Sequence, residues 1–176
     1  GTGNCGASMG CGGGIYAVNT PLHVGYCVIT NNVASAAGGS MQWGGWGGGI
    51  YAYANHNVDI WSSDIVSNTA NAEAISTIYS RGGGIAIRAA TLSLKENQIL
   101  NNVGSSAGTG GEGGGIFLYA VAEADVLSNT IRGNKASVNA GSGDGGGLYI
   151  LFSGSSPIYL AANRIENNVT TPDHSG

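Results

Sequence analysis

The sequence predicts an all-β chain folded as a single-stranded parallel β-helix, a solenoid of about five coils of 31–35 residues with three short strands each. Three observations predict it. First, Gly-Gly-Gly followed by an apolar residue occurs five times, ending at Ile15, Ile50, Ile85, Ile116 and Leu148. Second, an Ile-x-x-Asn mark follows each time, at Ile29/Asn32, Ile65/Asn68, Ile99/Asn102, Ile131/Asn134 and Ile165/Asn168. Third, the apolar residues between the two marks alternate with period two, as strands require. Two marks in constant phase, five times over, are the signature of a repeat architecture.

Each part of the repeat has a physical reason. The glycines permit a tight entry into the first strand, where positive φ or close backbone approach is needed. The first strand turns Ile15/Ala17, Ile50/Ala52, Ile85/Ile87, Ile116/Leu118 and Leu148/Ile150 inward. The second does the same with Leu22/Val24, Val58/Ile60, Leu92/Leu94, Ala124/Val126 and Ile158/Leu160. The Ile of the second mark supplies a third inward column. One repeat cannot bury these faces alone, whereas stacked coils convert each column into a continuous ladder. Two residues before that Ile lie Cys27, Ser63, Asn97, Asn129 and Asn163. Stacked polar side chains at such corners can hydrogen-bond from coil to coil. Between the Asn mark and the next glycines runs a variable loop, the first holding Trp43 and Trp46 and the second Tyr79.

The segments GGGIYAVNTPLHVGYCVITNNVA, GGGIYAYANHNVDIWSSDIVSNTA and GGGIAIRAATLSLKENQILNNVG resemble the right-handed parallel β-helix repeats of bacterial surface and secreted proteins. Among these are polymorphic outer-membrane protein repeats and the repeats of cell-surface-anchored bacterial proteins. The resemblance implies a right-handed coil and an extracellular or cell-surface location. It also implies a scaffold or adhesin role. The same superfamily contains pectate lyases and polygalacturonases, so polysaccharide binding or cleavage is the alternative expectation. The matching residues are scaffold, and no family active site transfers onto them.

Composition narrows the function classes. A chain of 176 residues fits one domain, residues 1–176. Six basic residues against ten acidic ones, net −4, lack the clustered Lys and Arg of a nucleic-acid surface. No apolar run reaches the length of a membrane-spanning helix. Gly1–Gly10 reads as the last loop of a preceding coil and 170–176 as the start of another. The expectation is therefore a segment of a longer solenoid or a subunit that stacks end to end.

Three groups of residues are candidates for chemistry. The outward residues of the first strand form the columns Tyr16, Tyr51, Ala86, Phe117, Tyr149 and Val18, Tyr53, Arg88, Tyr119, Leu151. Such an aromatic stripe, with Trp43 and Trp46 nearby, suits a protein partner or copies of the chain. Mutual packing of the rings is the bland reading. The outward column of the second strand reads His23, Asp59, Ser93, Asp125, Tyr159. Asp59 and Asp125, two coils or about 9.6 Å apart, fall near the upper end of the separation expected for the carboxylates of an inverting glycosidase. Solvated carboxylates are the bland reading there. Finally, the column Cys11, Trp46, Arg81, Glu112, Asp144 pairs Arg81 with Glu112 at the surface and sets Glu112 beside Asp144 as a conceivable calcium pair. No other cofactor is expected. Cys5 and Cys11 share a loop and are placed to pair in an oxidising compartment. Cys27 reads as a buried thiol, and Asn168-Val169-Thr170 is a glycosylation sequon.

Overall fold

The computed structural model describes residues 3–6, 9–35, 44–53, 56–72, 80–89, 91–107, 110–138, 142–151 and 157–171. Trp43, Tyr79, His174 and most of the variable loops lie outside these. Among the described residues every regular element is a strand, and the strands stack in parallel as a β-solenoid.

Sheet 1 stacks Ile15–Val18, Ile50–Tyr53, Ile85–Arg88, Ile116–Tyr119 and Leu148–Leu151. Sheet 2 stacks Leu22–Gly25, Asn57–Trp61, Thr91–Lys95, Glu123–Leu127 and Ile158–Ala161. Sheet 3 stacks Val28–Thr30, Asp64–Val66, Gln98–Leu100, Thr130–Arg132 and Arg164–Glu166. Ile29, Ile65, Ile99, Ile131 and Ile165 are register partners in one file. The first four are buried. They meet the inward residues of sheets 1 and 2 in one aliphatic core, each fully buried side chain contributing about 1.5–3 kcal/mol.

Two further sheets occupy ground that the sequence reading assigned to loop. Sheet 4 stacks Val33–Ser35, Thr69–Asn71, Val103–Ser105 and Lys135–Ser137. Sheet 5 stacks Ser80–Arg81, Gly110–Glu112 and Ser142–Asp144, with Cys11 and Trp46 continuing its edge as parallel bridges. Each coil therefore has up to five strand segments, not three. The fifth coil joins sheet 4 by an isolated bridge from Lys135 to Val169, with the Ala136 and Ser137 N–H groups donating to the Val169 and Thr170 carbonyls, and not by a full strand, so the stack amounts to about four full turns. The short strands escaped notice because they carry Ala, Gly and Ser where a strand pattern would show branched apolar residues.

The two sequence marks are one packing unit. The middle glycine of each triplet leaves no room for a side chain: a Cβ at Gly83 would lie 2.3 Å from the Gly114 carbonyl oxygen and from the Val103 carbonyl carbon. The third glycine lies on the Asn of its own coil, with a Cβ at Gly84 falling 3.0 Å from the Asn102 amide. Gly-Gly-Gly and Ile-x-x-Asn recur in phase because they touch.

Asn corners lock the coils together. Along Asn32, Asn68, Asn102, Asn134 and Asn168, each amide nitrogen donates to the Oδ1 of the next coil at 2.9–3.1 Å. From the second coil onward the same nitrogen also donates to the Ile carbonyl of the coil before, at 2.8–2.9 Å. Asn97, Asn129 and Asn163 repeat the pattern at the other corner. The residue before each ladder position takes the left-handed conformation that turns the chain, as Glu96 (φ 58°) and Asn101 (φ 54°) do. Asn168 is thus a rung, its amide committed to Asn134 and Ile131.

Residues 3–11 correct the expectation of a loop. Gly3–Gly6 pairs antiparallel with Met9–Cys11, so a hairpin lies along the sheet 5 edge at the first coil. Cys11 is disulfide-bonded. Cys27 is a free and exposed thiol, not a buried one, because no described coil lies against the outer side of its rung.

Candidate functional site

Alternation along sheet 1 sets every second side chain outward, beside the outward column of sheet 5. The register runs Tyr16, Tyr51, Ala86, Phe117, Tyr149 on sheet 1. On sheet 5 it runs Cys11, Trp46, Arg81, Glu112, Asp144. Ala86 is the one small residue in the aromatic file and leaves a notch between Tyr51 and Phe117. Trp46 fills it, edge-on to both rings with centroids at 5.9 Å. The Arg81 guanidinium lies over Trp46 at 4.5 Å and over Phe117 at 5.0 Å. Glu112 holds it at 2.7 Å.

This arrangement corrects two expectations. The aromatic stripe is not an open surface: Tyr51 is 6% exposed and Phe117 0%, and with Ala86 and Cys11 they form a second hydrophobic cluster. Stacking on Tyr16 and Tyr149 at 5.6 Å accounts for part of that burial. Likewise the Arg81–Glu112 pair is not a surface ion pair, since Glu112 is buried and its partner Arg81 lies over the rings of Trp46 and Phe117. Burial, then the neighbouring Tyr16 and Tyr53, push the Tyr51 hydroxyl up to about 12, opposed by Arg88. In the second outward column Arg88 lies over Tyr53 and Tyr119 at 4.8 and 5.7 Å and donates a short hydrogen bond to the Tyr53 hydroxyl. Tyr53, Tyr119 and Tyr149 are half-buried, and Tyr16, Val18 and Leu151 remain exposed.

The carboxylate candidates are placed as expected in register and engaged otherwise. Asp59 and Asp125 flank Ser93 on sheet 2, two coils apart. His23 Nδ1 lies 2.9 Å from Asp59, and Lys95 Nζ 3.7 Å from Asp125. A shallow recess of about 190 Å³ joins them with Thr91, Ser93 and Glu123. Glu112 and Asp144 are neighbours in register, but the Glu112 carboxylate faces Arg81. Among the described residues no three His, Cys, Asp or Glu side chains converge as a metal site.

A polar groove on sheet 3 was not foreseen. It holds about 450 Å³ between Gln98, Leu100, Asn101, Thr130, Arg132, Arg164 and Glu166. Its signal is present in the sequence, in the residues flanking each Ile of the third column. Those positions change from Val28/Thr30 and Asp64/Val66 to Thr130/Arg132 and Arg164/Glu166 along the rod.

No family model, curated protein or solved structure gives a significant match to the chain. The parallel solenoid is accordingly established by the register of its strands.

Proposed function

We propose that the chain is a non-enzymatic scaffold module whose first and last described coils are covered by further β-structure, whether of the same polypeptide or of a protein partner, copies of itself included. One observation carries this reading. Every exposed large hydrophobic residue among those described belongs to an end coil. The first coil exposes Tyr16, Val18, Tyr26 (81%) and Val28 (71%); the last exposes Leu151, Tyr159, Leu160 (48%), Ile165 (49%) and Val169. Open parallel strand edges accompany both sets, and such edges template pairing with another strand. Leu160 and Ile165 occupy inward positions, in register with the buried Val126 and Ile131, and stand uncovered at the last described coil, which suits a further coil better than a lateral ligand. The repeat's likeness to cell-surface β-helix repeats supports a surface-displayed, adhesin-like role and an extracellular location.

Polysaccharide cleavage is less well supported. It needs carboxylates converging on one bond, whereas Asp59 and Asp125 sit apart, the first facing His23 and the second Lys95. The test is mass measurement and imaging across a concentration series, with a turnover assay on neutral and acidic polysaccharides. Concentration-dependent stacked rods are expected. A monomer at every concentration, or product release from a polysaccharide, would overturn the reading.

A further inference from the structure

We infer that the part of the sheet 1 aromatic stripe left open docks an extended segment of a protein partner, one that carries an apolar side chain and, two residues on, a carboxylate. The stripe looks sideways from the rod, so the inference goes beyond the covering of the end coils and does not depend on it. Two features compose the surface, and they share Tyr53.

The first feature is a guanidinium without a counter-charge. The chain has six basic residues. Four of them, Arg81, Lys95, Arg132 and Arg164, reach a carboxylate at 2.7–3.9 Å. Lys135 is exposed and solvated. Arg88 is half-buried and, among the described residues, meets no carboxylate; its neighbours are the rings of Tyr53 and Tyr119. A partly desolvated charge of this kind gains most from an opposite charge brought by a partner. Arg88 donates to the Tyr53 hydroxyl, whose own proton is left for another acceptor. Guanidinium N–H and phenol O–H together suit the two oxygens of a carboxylate.

The second feature is a recess bordered by Tyr16, Val18, Tyr51 and Tyr53 on the first two coils. Its volume of about 220 Å³ falls below the range of small-molecule sites, about 300–1,000 Å³. It suits one apolar side chain projecting from a larger partner. An anchored side chain beside a desolvated Arg, among Tyr rings, is the composition of an interface hot spot. Spacing then fixes the order of the two groups. The recess lies between the first and second coils and Arg88 on the third, one and a half coils away, or about 7 Å. Two residues of an extended segment laid along the rod span about 6.6 Å.

The test is an NMR titration of the full chain with the peptide acetyl-Gly-Ser-Phe-Ser-Glu-Ser-Gly-amide. Three control peptides replace its Phe by Ser, replace its Glu by Gln, or move the Glu next to the Phe. Saturable shifts are expected at Tyr16, Tyr53 and Arg88. The Gln control should bind about tenfold more weakly, the loss of a charge-assisted hydrogen bond. The displaced Glu should bind severalfold more weakly, and the Ser control should not saturate. Arg88→Gln should bind the Glu and Gln peptides alike, an outcome that a merely structural Arg88 would not produce. Circular dichroism melts verify that the variant folds, and the control peptides test the parent without it. No saturation, shifts confined to other sheets, equal binding of any control by the parent, or a preference for Glu kept by Arg88→Gln would each overturn the assignment.

Discussion

Between sheets 1, 2 and 3 the interior is wide and filled by Ile, Leu and Val; between sheets 4 and 5 it is a narrow wedge of Ala, Gly and Ser. The first region derives its cohesion from apolar volume. Ile50, Ile60, Ile65, Leu94, Ile99 and Ile131 are all fully buried there. In the second, Ala34, Ala70 and Ala136 lie against Gly10, Gly45 and Gly111 so closely that main chain touches main chain. A Cβ at Gly45 would fall 1.6 Å from the Ala70 carbonyl oxygen. The same chain thus uses two packing regimes side by side, with the Asn32–Asn168 ladder at the junction. The wide core should tolerate a lost methyl group, and the wedge should refuse an added one.

The largest expected effect follows directly. Gly111→Ala adds one methyl group 1.8 Å from the Ala136 carbonyl oxygen and 2.6 Å from its carbonyl carbon, both backbone atoms. It should cost at least about 3 kcal/mol, read as a collapse of the urea midpoint. If this variant melts like the parent, the wedge is not close-packed and the comparison fails. The junction comes next. Asn102→Ala removes the bonds to Asn134 and to the Ile65 carbonyl, and strands the Asn68 N–H inside the rod. A loss of about 3 kcal/mol is expected, against a much smaller loss for Asn168→Ala on the half-buried last rung.

Ile99→Val is the counterpart of Gly111→Ala, one methyl group removed instead of added. It should cost about 1 kcal/mol. A loss matching that of Gly111→Ala would erase the distinction between the two regions. Smaller still, and of opposite sign, is Ser63→Asn. It continues the Asn97–Asn163 ladder by one buried rung, in a slot where the Ser63 hydroxyl already accepts the Cys27 N–H and the Ser63 N–H donates to Asn97 Oδ1. A gain of about 0.5–1 kcal/mol is expected, seen as a raised melting temperature.

The aromatic cluster outside sheet 1 gives the finest test. The Tyr51 hydroxyl titrates near 12 in the folded chain against about 10 when unfolded. The folded form holds its proton more tightly, so this contribution to stability is complete below pH 10 and is lost as pH rises toward 12. Tyr51→Phe should flatten that alkaline decline, measured by denaturant melts beside the phenolate absorbance.

Much of the fold was legible in the sequence because branched apolar residues at period two announce a strand whatever surrounds them. Ile29 to Ile165 and the Asn that follow them are read this way. The strands of sheets 4 and 5 were not legible. Segments such as Val33-Ala34-Ser35 and Gly110-Gly111-Glu112 resemble loop, and only the proximity of the opposite sheet makes small side chains a requirement. The candidate surfaces divide likewise. The register columns of Tyr16, Asp59 and Glu112 followed from spacing alone. That Tyr51 and Phe117 are covered did not, because Trp46 reaches them across two coils through the notch at Ala86.

The sequence by itself determined the stacking axis, the three aliphatic files and the polar corners, since each depends on a residue's own type and its distance to the next repeat. Only the tertiary structure decided which outward side chains meet solvent, that Glu112 answers Arg81, and that Gln98, Thr130 and Arg132 open a groove. Such outcomes depend on how far apart two sheets lie and what fills the gap, and neither quantity is written in the period of a single chain.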